Sequence, residues 1–253
     1  MDLGLRGRTA LVVGSTSGLG LAVAQALGRE HTHVVLCGRR MSLAEQRAAE
    51  LPCAIGVELD LAKPTTVARA LDAAGKIDVL VLNAGGPPPG PATELTSRSM
   101  AEAMETLLLA QIDLVSMVLP EMRDRGWGRI LAIGSSGVQQ PIPHLVRSNV
   151  ARAGLAAYLK TLAGEVARDG VTVNMVLPGR IDTERVAALD AAQAGRHGID
   201  VRAVRTQSEE RIPAGRYGRP EEFADVAAFL CSERGSYITG SHVRVDGGLL
   251  SGY

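Results

Sequence analysis

The chain has 253 residues, 46% of them hydrophobic, with 27 basic and 27 acidic side chains and no net charge. That length suits one large domain with a substantial core, and the balanced charge excludes the strongly basic face that nucleic acid or an anionic membrane surface requires. Cys37, Cys53 and Cys231 form no close pair, which argues against a disulfide framework, and His31, His33, His144, His197 and His242 form no metal-ligand cluster, so no zinc site is expected. Met1 to Arg6 lacks the apolar core of a signal peptide and no apolar run approaches membrane-spanning length. The expectation is a soluble cytoplasmic protein whose partners are a small molecule and further copies of itself.

The first apolar run, Thr9 to Val13, leads straight into Gly14-Ser15-Thr16-Ser17-Gly18-Leu19-Gly20 and then into an amphipathic stretch. This reads as strand, glycine turn, helix. Gly14 permits a tight exit from the strand, Gly18 lets backbone approach a diphosphate, and Gly20 lets the helix pack on the sheet. The helix start adds free N–H groups and a positive dipole end, both suited to phosphate.

A second run, His33 to Cys37, ends in Gly38-Arg39-Arg40; a third, Ala54 to Glu58, is followed by Asp60-Leu61; a fourth, Asp78 to Leu82, is followed by Asn83-Ala84-Gly85-Gly86. Arg129 to Gly134, Val171 to Val176 and His242 to Val245 complete seven, with segments of helical period between them. In the last of these segments Pro220 opens a helix with Phe223, Val226, Ala227 and Leu230 on one face. Runs that are continuous rather than alternating in apolarity predict a parallel sheet covered on both sides. The fold class is therefore α/β: a single-domain, doubly wound Rossmann fold over residues 1–253.

Two segments interrupt this rhythm. Gly86-Pro87-Pro88-Pro89-Gly90-Pro91 must be a stiff loop, and Arg180 to Pro213 is a polar, alanine-rich stretch longer than a simple connection, read as a helical insertion. Both follow strand C-termini, where open α/β sheets bind ligands, and both are candidate pocket walls and lid.

The glycine turn, Asn83-Ala84-Gly85, Ser135, Pro178-Gly179, Arg216-Tyr217-Gly218-Arg219-Pro220-Glu221-Glu222 and Val245-Asp246-Gly247-Gly248 stand in one order over nearly the whole chain. Together they resemble the short-chain dehydrogenase/reductase family, with the nearest likeness to 3-oxoacyl-acyl-carrier-protein reductases. The resemblance implies a dinucleotide site in which Asp60 and Leu61 flank the adenine, Asn83 to Gly86 line the ribose side, and Pro178, Gly179, Ile181 and Thr183 frame the nicotinamide. The second strand ends in Arg39-Arg40 with no carboxylate placed for a ribose 2′-hydroxyl, which favours NADP(H) over NAD(H) because arginine pairs with a 2′-phosphate. Dimers or tetramers built on the long helices near 98–125 and 147–168 are implied as well.

Catalytic members of the family carry a serine, a tyrosine thirteen residues on and a lysine four further, plus an asparagine on an earlier helix. Counted from Ser135, the tyrosine position holds Ser148 and the lysine position Arg152, while the asparagine position falls at Leu107. Tyr158 is about 15 Å along the predicted helix from Ser148, and Lys160 about 12 Å from Arg152, so neither substitutes. Ser148 is a far weaker acid than a phenol, and Arg152 keeps its charge without shuttling protons near neutrality. His144, in Pro141-Ile142-Pro143-His144, is a further acid–base candidate. The expectation is an atypical NADP(H)-dependent oxidoreductase using Ser135, Ser148, Arg152 and His144; the alternative is a catalytically silent NADP(H)-binding relative, a sensor or a supporting subunit in an oligomer.

Overall fold

The computed structural model describes residues 2–252. Seven parallel strands form one sheet in the order β3-β2-β1-β4-β5-β6-β7: β1 Thr9–Val12, β2 His33–Gly38, β3 Ala54–Glu58, β4 Val79–Leu82, β5 Gly128–Ile133, β6 Val171–Pro178 and β7 His242–Val245. The registers Leu11↔Val35 and Leu11↔Leu80 fix β1 between β2 and β4, and the chain reverses its direction of winding there. A crevice opens at that reversal beyond the strand C-termini.

Alternation along each strand sends side chains into two separate cores. Ala10 and Val12 pack with α1 (Gly18–Arg29) and α9 (Pro220–Leu230), through Val23, Leu27, Phe223 and Ala227. Leu11 and Val13 pack on the opposite face with α3 (Pro64–Ala74), α5 (Ala110–Asp124) and α6 (Val146–Val166), through Val67, Leu114, Met122, Leu155 and Leu159. Both faces of the sheet are covered, as the continuous runs imply, although Thr172 and Asn174 share one side of β6 and His242 and Arg244 one side of β7. The predicted strands are all present; β6 extends to Pro178 because its end pairs with Val245 of β7.

The expectation that no apolar run approaches membrane-spanning length needs correction. Residues Ser97–Asp124 form one 28-residue helical stretch, α4 (Ser97–Met104), a π-helical turn (Glu105–Leu109) and α5, that is long and apolar enough by length and composition to cross a membrane. Its apolar side is core: Leu107, Leu114, Val115 and Met122 are fully buried. The insertion is two helices, α7 (Glu184–His197) and α8 (Val201–Glu210), separated at Gly198 in the left-handed conformation. The remaining helix, α2 (Met41–Ala48), lies against β3, and a Cβ added at Gly56 would sit 2.3 Å from the Ala44 carbonyl carbon and the Glu45 nitrogen. Backbone cannot yield at low cost, so Gly56→Ala is expected to destabilise the fold by about 1–3 kcal/mol, a Tm drop of roughly 2–12 °C on thermal unfolding followed by circular dichroism.

Candidate active site

The glycine turn is fastened to its neighbours by backbone: Val13 N donates to Val81 O at 3.0 Å and Ser15 N to Cys37 O at 2.8 Å. Gly14 and Gly18 have φ of +61° and +57°, which favours glycine at both. A Cβ at Gly20 would stand 2.3 Å from Gly14 O, whereas one at Gly18 would meet nothing within 4 Å. Gly20 is thus required by helix–strand packing, and Gly18 leaves open space in front of the backbone. Ser17 at the start of α1 makes no side-chain cap and no acid stands in the first turn, so the first N–H groups of the helix are left for a ligand. Asn83 Nδ2 donates to Gly14 O at 3.1 Å, tying the end of β4 to the turn.

A cavity of about 760 Å³ lies at the strand C-termini. It brings together Gly14, Ser17, Gly18 and Leu19 of the turn, Asn83 to Gly86, Ser135, His144, Ser148, Arg152, Pro178, Gly179, Ile181 and Thr183. Ser15, Thr16, Gly20, Arg39, Arg40, Asp60 and Leu61 do not line it. The Ser15 hydroxyl is buried, donating to Val12 O at 2.7 Å and accepting from Cys37 N at 2.9 Å, and is committed to the fold. Asp60 Oδ1 accepts from Ala62 N. Arg39 and Arg40 are exposed at the end of β2, and among the described residues neither side chain has an ion pair or hydrogen bond. The prolines and the 180–213 segment supply walls as expected, through Pro89, Arg185, Val186, Leu189 and Ser208. Leu249 and Leu250 also line the cavity; no periodicity or motif marks them in the sequence.

On α6, Arg152 is only 7% exposed. Its Nη1 donates to Ile133 O at 2.8 Å, Nη2 to Ala84 O at 3.1 Å and Nε to Ser148 Oγ at 3.2 Å. Burial and, secondarily, the nearby charge of Arg185 push the guanidinium down to about 10, so it stays cationic at neutral pH. Three of five N–H donors are engaged, which leaves two for a ligand. Because Ser148 Oγ accepts from a cation, its own proton is free to be donated into the cavity. Ser135 Oγ likewise accepts from Gly137 N at 3.1 Å. His144 has φ +61°, and its carbonyl accepts from Gly90 N at 2.7 Å, joining the proline loop to the mouth of the cavity. Leu107 is buried in the π-helical turn, and Gln111 Nε2 donates to its carbonyl at 3.3 Å. Lys160 Nζ donates to Gly240 O at 2.8 Å, and Tyr158 packs against the core, so both stand away from the cavity.

Known proteins show the family. The family model described as enoyl-(acyl carrier protein) reductase matches residues 13–250. A putative ketoacyl reductase of Streptomyces coelicolor is 35% identical over 95% of this chain and 96% of its own. The chain belongs to the short-chain dehydrogenase/reductase family. The 3-oxoacyl-[acyl-carrier-protein] reductase FabG of Aquifex aeolicus is 33% identical over 99% of this chain and all of its own length. Among solved structures, the L-sorbose reductase of Gluconobacter frateurii, complexed with NADPH and L-sorbose, superposes with a TM-score of 0.93 at 33% identity, with both chains fully covered.

In this short-chain dehydrogenase/reductase chain the two-helix insertion is anchored by a buried polar network. Asp190 of α7 accepts from Tyr217 Oη at 2.8 Å and from Arg180 Nη1 at 2.9 Å, joining α7 to the loop after β6 and to the strip before α9. Arg185 Nη2 adds a bond to Pro87 O at 2.9 Å. The Arg-Tyr-Gly-Arg motif flags Tyr217 in the sequence, but its bond to a residue 27 positions away has no sequence signal. Tyr217→Phe removes one partner of a 3%-exposed carboxylate and is expected to cost about 1–3 kcal/mol, with faster proteolytic cleavage in residues 184–211 than elsewhere.

Proposed function

We propose that the chain is an NADP(H)-dependent oxidoreductase acting on a carbonyl or hydroxyl substrate, with proton delivery altered from the family pattern. The observation that carries this reading is the buried, charged Arg152 lining the same cavity as the open backbone of Gly18. The residues present fit the dinucleotide. First-turn N–H groups at Ser17 to Gly20 suit the diphosphate, Asn83 to Gly86 the ribose side, and Pro178, Gly179, Ile181 and Thr183 the nicotinamide. Asp60 and Leu61, which lie outside the cavity lining, are assigned to the adenine by the family resemblance. Unpaired Arg39 and Arg40 suit a 2′-phosphate better than a 2′-hydroxyl, which favours NADP(H) over NAD(H). NADPH in the complex of the Gluconobacter relative supports the same preference.

When bound, NADPH supplies the hydride. Ser135 donates a hydrogen bond that orients the substrate oxygen, and the two remaining N–H groups of Arg152 stabilise negative charge as it develops there. Ser148 or His144 hands on the proton, with water as its source. Arg152 is held in place by Ile133 O and Ala84 O, so its charge is fixed before the substrate arrives.

A second reading is a catalytically silent NADP(H) binder, acting as a sensor or supporting an active subunit. What favours it is Leu107: its apolar side chain offers a proton-relay water no hydrogen bond, and its carbonyl already accepts one from Gln111. In either case the assembly proposed is a cytoplasmic homo-oligomer, a dimer or more favourably a tetramer, using the exposed apolar Leu109, Met117 and Val150 on the long helices.

Two measurements test these readings. Arg39→Ala with Arg40→Ala should raise the NADPH Kd roughly 10–100-fold by calorimetry and leave NADH within about twofold; equal losses for both cofactors would refute the assignment. Arg152→Met should cut NADPH-dependent carbonyl reduction by about 10²–10³ in kcat with NADPH still bound. If the natural chain turns over no carbonyl and Ser148→Tyr with Arg152→Lys gains activity on simple ketones, the silent reading stands instead.

A further inference from the structure

The cavity lining carries an excess of positive charge. Five arginines line it, Arg152, Arg180, Arg185, Arg196 and Arg211, against one carboxylate among the described residues, Glu184. Arg180 is neutralised by Asp190 at 2.9 Å. Arg185, Arg196 and Arg211 have no ion pair among the described residues. Arg185 holds only a backbone carbonyl, that of Pro87.

The surrounding segment shows that this is not simply how arginines sit here. Within residues 180–222, Arg205 is paired with Asp182 and Glu209, and Arg216 and Arg219 are both paired with Glu222. Outside the cavity only Arg202 lacks a carboxylate partner among the described residues of that segment. Arg152 adds a guanidinium 93% removed from solvent, by its 7% exposure, whose charged neighbour is another guanidinium, Arg185. Like charges gathered in a concave, partly desolvated site cost free energy that a bound anion recovers. The guanidinium fork also matches the planar oxygens of a carboxylate or the face of a phosphate.

We infer that the substrate bears an oxyanion, a carboxylate or phosphoryl group, which Arg185, Arg196 and Arg211, the lining arginines of residues 184–211 with no carboxylate partner among the described residues, hold in the cavity, so that its carbonyl reaches Ser135 and Arg152. This rests on the oxidoreductase reading for the identity of the reacting carbonyl, but not for the anion site itself. Residues of α7, of α8 and of the proline loop all line the cavity, and Arg185 of α7 is bonded to the proline loop through Pro87 O.

The test is calorimetric titration of the full chain, with saturating NADPH and again without it, using levulinate, methyl levulinate and inorganic phosphate as probes. Levulinate and phosphate are expected to bind at millimolar concentration and the ester at least roughly tenfold more weakly, because it keeps the ketone and lacks the charge. Arg196→Gln with Arg211→Gln changes two exposed side chains and should weaken both oxyanions by a further tenfold or so while NADPH affinity stays within about twofold. Equal binding of acid and ester, no oxyanion binding, or an unaffected double variant overturns the inference. So does a double variant that loses NADPH instead, since the arginines then serve the cofactor's own phosphates. Failure of NADPH to bind would sink the oxidoreductase reading alone, and the titration without cofactor would still decide this one.

Discussion

A guanidinium buried without a carboxylate is tolerable only if its N–H groups find acceptors, and that constraint shapes the floor of this site. Arg152 meets it with the carbonyls at the ends of two neighbouring strands, Ile133 as the last residue of β5 and Ala84 just after β4, and with the hydroxyl of Ser148 one turn back on its own helix. Those carbonyls are available because parallel strands end there with no further ladder partner. The arginine therefore does two things at once: it ties helix α6 to the sheet, and it leaves a fixed positive charge facing the crevice.

The same sheet edge organises everything else. Strand order reverses at β1 and β4, so the glycine turn, Asn83 and Arg152 converge from different parts of the chain on one cleft. Asn83 closes the arrangement by holding Gly14 O, which is why a residue expected to line a cofactor also serves as a staple. The helical insertion is held by Asp190, whose two partners, Arg180 and Tyr217, come from the chain on either side of it.

How much of this was legible in the sequence depends on the range of the interaction. The seven strands could be read because burial on both faces leaves continuous apolar runs, and the glycine turn because Gly14, Gly18 and Gly20 answer backbone requirements that only glycine meets. Ser148, Arg152 and Leu107 could be found by register alone. The bond from Gln111 to the Leu107 carbonyl could not, since it depends on a π-helical turn that no residue pattern announces. Arg196 and Arg211 were inside the segment read as a lid, but a lining arginine and a solvated one look alike until the fold sets which carboxylates are within reach. The helix at 97–124 misled in the opposite sense: its apolar stretch was judged too short, because its charged residues are scattered round a helix whose other side is core.

The most direct measurement is a crystal structure of the full chain with NADPH. The expected result is a dinucleotide whose diphosphate lies on the N–H groups at Ser17 to Gly20, whose 2′-phosphate meets Arg39 or Arg40, and whose nicotinamide end faces Arg152 still bonded to Ile133 O and Ala84 O. A guanidinium displaced from those carbonyls, or a dinucleotide bound elsewhere on the molecule, would contradict it.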